Sequence, residues 1–453
     1  MQNRISQDFT ARSLLRFVAP MVLINLVGVI YSLVDGLFIS HFVDTASLSC
    51  TTLVLPPISL ATGAASMLSI GGNAFVARLL GQNRKQEARA AFSFLCAFLL
   101  GLGTLLAALF LALEAPLFQL LGVTQEVWAS CSDYFLPLCL GLPLTMLATA
   151  GSVFIVTAGV PELGMWAMLA GGLANIVANA LLIGPLHMGV LGAGIGTLIS
   201  NALPAVVGAV YFVIARSDLH FTRFRWQGAL LKNSLVNGRS QMIMQIGNSL
   251  IMLLFNRIIT AQAGAAGVAA FAIVLYIQPI IPSLFSGYLS GVSPIFSYNF
   301  GAQNACRIRW LYRVSMRITA VTALLTFAVS FAFARPLVGL YADPAAEIGA
   351  LAVRSLRLYV LCIFPNAFNM MAGQLLPAFG KGKAASAITL MRKVILIVLY
   401  LALLTPALGL DGTMLVTAAA ELTCLPLTFF LLRRYGEECL YLPAGRGHRR
   451  RER

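Results

Sequence analysis

The sequence predicts an all-α integral membrane protein, with twelve transmembrane helices in two pseudo-symmetric six-helix bundles around a central cleft. Two observations carry this: apolar runs of span length recur along the chain, and its two halves repeat at an offset of 221 residues. Composition agrees. Of 453 residues 59% are hydrophobic and 10% charged, against about 25% charged in a soluble domain. The formal charge of +15 does not indicate nucleic acid, because a basic nucleic-acid surface needs a soluble fold to present it. Here the positive charge falls in loops.

A transmembrane helix needs about 20 mostly apolar residues. In order, the twelve runs are 14–40, 49–77, 90–113, 128–158, 163–186, 190–215, 234–261, 268–298, 310–334, 346–378, 385–407 and 412–432. The polar start MQNRISQDFTARSLLRF enters the first run without a small-residue cleavage site, so it reads as a span and not as a removed signal peptide. Lys and Arg gather after the second span in RLLGQNRKQEAR, after the sixth in RSDLHFTRFRWQGALLK, after the eighth in CRIRWLYR, after the tenth in GKGK, and in the tail GRGHRRRER. The alternate loops HFVDTAS, EAPLFQLLGVTQEV, GPLHMG, AQAGAAG and LGLDG contain neither residue. This asymmetry predicts cytoplasmic termini in a plasma (inner) membrane protein. One connection departs, the ninth to tenth, with Arg335, Arg354 and Arg357.

Shifted by 221 residues, Ser13-Leu14 falls on Ser234-Leu235, Gln82-Asn83 on Gln303-Asn304, and Asp35 on Asn256. Six spans per half give both halves one orientation, a parallel repeat about an axis along the membrane normal. The expected organisation is an N-terminal bundle over 1–216, a cytoplasmic linker over 217–233, a C-terminal bundle over 234–435 and a basic tail over 436–453. Two bundles around a cleft suit alternating access, and no loop resembles a channel filter. An enzyme would need a constellation such as HExxH or clustered acids, whereas the four histidines, at 41, 187, 220 and 448, are scattered. The eight cysteines form no CxxC pair and read as small core hydrophobes. No metal or cofactor is called for.

Away from the span ends the acids are few: Asp35 in the first span and Glu421 in the twelfth. A charge at the bilayer centre costs at least about 2.5 to 3.5 kcal/mol, so such residues usually face a cavity and mark an ion or proton pathway. The alternative for Asp35 is solvation from the outer surface, which lies roughly 9 Å away at 1.5 Å per residue. Tyr31 is one turn earlier on the same face. Pro20, further in, lacks the N–H of a helix rung and permits a bend. In the fifth span Asn175 and Asn179 are four apart on one face, which suits either a polar site or a hydrogen bond between helices.

These stretches resemble the multidrug and toxic compound extrusion (MATE) family of antiporters. The resemblance rests on VDGLFIS in the first span, ARLLGQNRKQEA after the second, NIVANALLIGPLHMGVLGAGIGTLIS across the fifth and sixth, GVSPIFSYNFGAQN ending the eighth, and GLDGTMLVTAAAEL leading into the twelfth. It covers the whole chain in order. It implies efflux of amphipathic organic cations through a central cleft by a monomer in the lipid bilayer, driven by protons or sodium.

By that resemblance Asp35 is the first-span acid, Tyr31 its neighbour and Pro20 the bending proline; Tyr134, Asn175 and Thr197 complete a cation-coupling site. The family's fifth-span aspartate is Asn179 here. The carboxylates that some relatives carry in the seventh and tenth spans are absent. In their place the second half offers Gln245, Asn248, Asn256, Gln278, Asn366 and Asn369, with Arg392 at the start of the eleventh span and Glu421 in the twelfth. Arg392 and Glu421 read as an ion pair that fastens two helices.

The choice of coupling ion stays open. Protons need only Asp35, whereas sodium would draw on the oxygens of Asp35, Asn175, Asn179 and Thr197; a single interior acid favours protons. The rival reading is a lipid-linked oligosaccharide flippase of the same superfamily, whose cavity should be strongly cationic.

Overall fold

Within a bilayer an apolar segment can satisfy its own backbone only as a helix or a closed barrel, and this chain takes the first course. The computed structural model describes residues 4–42, 50, 53–215 and 217–441; for 30–42, 256, 263, 265, 266, 268, 269, 272 and 276 it describes the backbone alone. The first half holds α1 (Ala11–Phe42), α2 (Leu55–Gly81), α3 (Lys85–Ala112), the short α4 (Glu114–Leu121), α5 (Trp128–Thr157), α6 (Pro161–Ile183) and α7 (Gly189–Ile214). The second half begins with α8 (Gly228–Ile277), α9 (Ile280–Gly301), α10 (Ala305–Ala332) and the short α11 (Ala334–Gly339). It ends with α12 (Glu347–Val360), α13 (Ile363–Ala378), α14 (Gly382–Leu390), a π turn over Met391–Ile395 and α15 (Leu396–Tyr435).

Ten of these helical stretches are long and apolar enough to cross a membrane, and α12 with α13, bent by 47°, makes an eleventh. The stretch Gly382–Tyr435 counts once among the ten, yet its 54 residues would reach about 81 Å at 1.5 Å per residue, far beyond a bilayer. It breaks at Gly409, whose φ of 59° and ψ of −134° only glycine adopts readily. That break yields the twelfth span. Gly264, with φ 53° and ψ −147°, breaks α8 in the same way.

Several boundaries shift, the second span running over Leu55–Gly81 and the third starting at Lys85. The connection expected over 217–233 is shorter, because α8 already begins at Gly228. The eleventh span begins at Gly382, three residues before the expected 385. Two of the three exceptional arginines find company: Arg354 pairs with Asp411 in the connection between the last two spans, and Arg357 lies 5.5 Å from the Phe331 ring centroid.

The repeat is visible in the contacts between the halves. At the end rich in Lys and Arg, α2 crosses α9 where a Cβ on Gly81 would collide with the Tyr298 carbonyl and one on Gly301 with the Arg78 carbonyl. Either side, α2 meets α8 backbone against backbone at Gly71 and Gly238, and α1 meets α9 in the same way at Gly287 and through the Val18 side chain at Gly291. Helices this close need glycine. The halves are therefore locked together at the basic end. The register differs by one from the sequence pairing. Asn83 and Gln303 are the two residues with positive φ after α2 and α9, and Arg84 and Asn304 close the same turn on Leu79 and Asn299. The structural offset here is 220, so Gln303 matches Asn83 and not Gln82.

Candidate functional site

Between α1, α2, α5, α6 and α7 of the first half and α9 and α13 of the second lies a cavity of about 350 Å³. None of its described lining residues is ionisable. Asn25 donates Nδ2 to the Met21 carbonyl at 2.9 Å and Asn201 to the Thr197 carbonyl at 3.1 Å. Thr149 and Ser152 donate their hydroxyls to the Thr145 and Thr149 carbonyls, each at 2.8 Å. These bonds turn the hydroxyl donors and one N–H of each amide back on their own helices, which leaves the side-chain oxygens and the second amide N–H of each Asn for the cavity. Apolar Met21, Ile24, Ile70 and Met168 share the wall. The described lining thus combines polar atoms without formal charge and apolar surface.

Four of the N-terminal candidates, Tyr134, Asn175, Asn179 and Thr197, come together where α5, α6 and α7 meet. Asn179 donates Nδ2 to Asn175 Oδ1 at 3.0 Å, one turn apart on α6, and both side chains are buried. A Cβ on Gly196 would strike Asn179 Oδ1, so glycine lets α7 close over the pair. Two residues earlier, a Cβ on Gly194 would sit 3.0 Å from the carbonyl of Tyr134, whose side chain is buried on α5. Thr197, half-buried beside Gly196, donates its hydroxyl to Ala193 O at 3.1 Å and keeps its lone pairs. Asn175 Nδ2 has no partner among the described residues, and a buried donor of this kind needs an acceptor. Pro20 is buried within α1, which runs on past it as helix. Tyr31 and Asp35 lie on α1, but their side chains fall outside the described residues.

The second half holds a charged cluster instead. Arg392, 3% exposed, and Glu421, 1% exposed, pair at 2.8 Å. Arg392 Nη1 also donates to Asn366 Oδ1 at 2.8 Å. Asn369 Nδ2 donates to Glu421 Oε2 and to its carbonyl, both at 2.8 Å, while Thr428 donates to Asn369 Oδ1 at 2.6 Å. The fastening role expected of the pair is thus extended to the tenth span. One expectation changes: Arg392 is not at the start of its span but ten residues in from Gly382, about 15 Å deep at 1.5 Å per residue.

A third charge escapes sequence reading. Lys393 Nζ lies 3.9 Å from Glu421 Oε1. In a regular helix successive side chains point about 100° apart, and the π turn at Met391–Ile395 is what turns two neighbouring cations to one carboxylate. Gly247 of α8 makes room, since a Cβ there would lie 2.8 Å from Lys393 Cβ.

Of the remaining second-half candidates, Gln278 lies beside Tyr359, which in turn neighbours Glu421. Gln245 packs at Gly63 in the seam between the halves, and Asn248 is exposed on α8. The Asn256 side chain lies outside the described residues. Asn25, Asn73, Asn201 and Gln374, all on the cavity wall, were missed in the sequence; their one signal is a lone amide in an apolar run.

A family model described as MatE matches residues 20–181 and again 241–401. The chain belongs to the MatE family. Its two matches start 221 residues apart and end 220 apart, which agrees with the repeat and with the one-residue slip after α2 and α9. Curated relatives include the multidrug export protein MepA of Staphylococcus saprophyticus, 26% identical over 419 residues and 91% of each chain. Another is MepA of Staphylococcus haemolyticus, 25% identical over 425 residues and 93% of each chain.

Among solved structures, a MATE in complex with MaL6 superposes with a TM-score of 0.91 at 22% identity, covering 97% of this chain and 99% of that one. The outward-facing conformation of a multidrug resistance MATE transporter superposes with a TM-score of 0.90 at the same identity and coverage. These matches establish the two-lobed fold. As a MatE protein, the chain is a multi-pass membrane transporter, and its cavity lies between the two repeats.

Proposed function

We propose that this MatE protein is a multidrug efflux antiporter that exports amphipathic organic cations by alternating access, in exchange for protons or sodium. The observation that carries the reading is the uncharged cavity between the repeats, together with the buried Asn175–Asn179 pair. The MepA relatives, named as multidrug export proteins across nine-tenths of the chain, support it. Asp35 is the proposed coupling acid, and Asn175 offers a buried donor without a described partner in the same half, with protons favoured over sodium. With the basic end on the cytoplasmic side, as proposed below, the close glycine crossings there correspond to an outward-facing state. A flippase for a pyrophosphate-linked sugar is disfavoured, since no cationic side chain lines the described cavity.

Dye efflux measured in inverted vesicles tests this, with pH and sodium gradients imposed separately. A gradient-dependent uptake of dye into the vesicles supports antiport and names the ion; no response to either gradient rejects it.

We further propose that the basic end, with both termini, is cytoplasmic. Cys306, beside the basic run after α9, is the exposed cysteine among the eight. Cys439 is buried beyond the last span, and burial pushes its thiol up to about 12. An impermeant maleimide should therefore label Cys306 in inverted vesicles and not in intact cells, and leave Cys439 unlabelled in both. Labelling in intact cells would reverse the orientation.

A further inference from the structure

The chain that joins the two bundles is pinned to α3. The Thr222 N–H donates to Ser93 Oγ at 2.9 Å, and Phe221 stacks on Phe92 with centroids 5.1 Å apart. Phe94 receives Phe224 at 6.0 Å and Trp226 at 5.4 Å, both edge-on. Beside these rings a groove of about 380 Å³ runs along α3, with Ala97 and Gly101 among its lining residues and Trp226 at its basic end.

Three features say what fills it. Ala97, Gly101 and Leu105 are all exposed at helical spacing, on a face that no other helix covers among the described residues. A Cβ on Gly101 would meet open space, so no packing requires the glycine, although glycine inside a helix costs about 1 kcal/mol relative to alanine. The groove runs from Phe94 to Leu105, roughly 16 Å at 1.5 Å per residue, or about half the ~30 Å hydrocarbon thickness. That is the reach of one leaflet. Finally, Arg223 and Arg225 are exposed and have no ion pair or hydrogen bond with any described residue. They stand in the segment that carries Trp226, an anchor type typical of the membrane interface.

We propose that this groove binds an anionic phospholipid of the leaflet at the basic end, with an acyl chain along Ala97 and Gly101 and the phosphate held by Arg223 and Arg225. Guanidinium groups take phosphate oxygens in pairs, and a zwitterionic headgroup would bring its own ammonium to the same place. Because the segment is also the connection between the bundles, the lipid ties that connection to the first bundle.

The test uses the full-length protein in detergent, with native mass spectrometry to count retained phosphatidylglycerol and phosphatidylethanolamine of matched chains. Phosphatidylglycerol should be retained preferentially. Arg223→Gln with Arg225→Gln should weaken it by about fivefold per arginine, and Gly101→Leu should expel both lipids by filling the groove. Equal retention of the two lipids by the unaltered protein overturns the proposal without any variant. Unchanged phosphatidylglycerol in either variant overturns it too, as does a dimer seated on this face.

Discussion

The two halves of one repeat place opposite chemistries at their centres. In the first, Asn175 and Asn179 are buried without formal charge and Asn175 keeps a donor with no described partner. In the second, Glu421 is taken up by Arg392, Asn369 and the nearby Lys393. A group already satisfied by fixed neighbours exchanges nothing cheaply, because removing any partner exposes a buried charge. A neutral pocket with spare valence can accept an ion and release it. The difference assigns work to the first half and cohesion to the second, as a proposal about function built on geometry.

The comparison breaks most sharply at Asp35. Asp35→Asn should reduce coupled efflux to background while expression and membrane insertion stay intact, since an acid costs too much in an apolar span unless it works. Full resistance to exported drugs at wild-type expression would move the coupling elsewhere, with the second half the first place to look.

The charged cluster should respond in stability before transport. Glu421→Gln leaves Arg392 and Lys393 without their carboxylate, and breaking a buried pair typically costs about 3–5 kcal/mol. A large drop in melting temperature in detergent is the expected outcome. Lys393→Met, which removes the cation in excess, should leave stability unchanged or raise it, with efflux retained. Loss of efflux in a well-folded Lys393→Met protein would give the second half a transport role after all.

What the sequence made legible follows from the range of each signal. The spans, the repeat and the Arg392–Glu421 partnership were readable because hydrophobic length and the cost of a buried charge are local and strong. Lys393 was not, because a π turn is needed to bring it to the carboxylate, and residue spacing assumes a regular helix. The broken helices at Gly264 and Gly409 fell in loops that apolar runs already separated. The cavity wall of Asn25, Asn73, Asn201 and Gln374 is assembled from four spans, and no single span marks it. Only the close glycine crossings show how near those spans come.

The finest test of the first-half pocket is at residue 179. Asn179 Nδ2 is 3.0 Å from Asn175 Oδ1, and Gly196 leaves no space for the pair to swing away. An acid placed here would share the pocket proposed for Asp35, and two neighbouring carboxylates take up and lose protons as a coupled pair in two macroscopic steps. Asn179→Asp should therefore remain functional, with the rate of efflux changing over a wider span of pH than in the unaltered protein, where Asp35 acts alone. The effect is a change in the shape of the profile, smaller than the losses above, and transport rate against pH at fixed gradient reads it directly. Superimposable profiles would place residue 179 outside the pocket of Asp35 and reduce the Asn175–Asn179 bond to a tie along α6, leaving both halves of the repeat with a structural polar centre and the first half with Asp35 as its one working group.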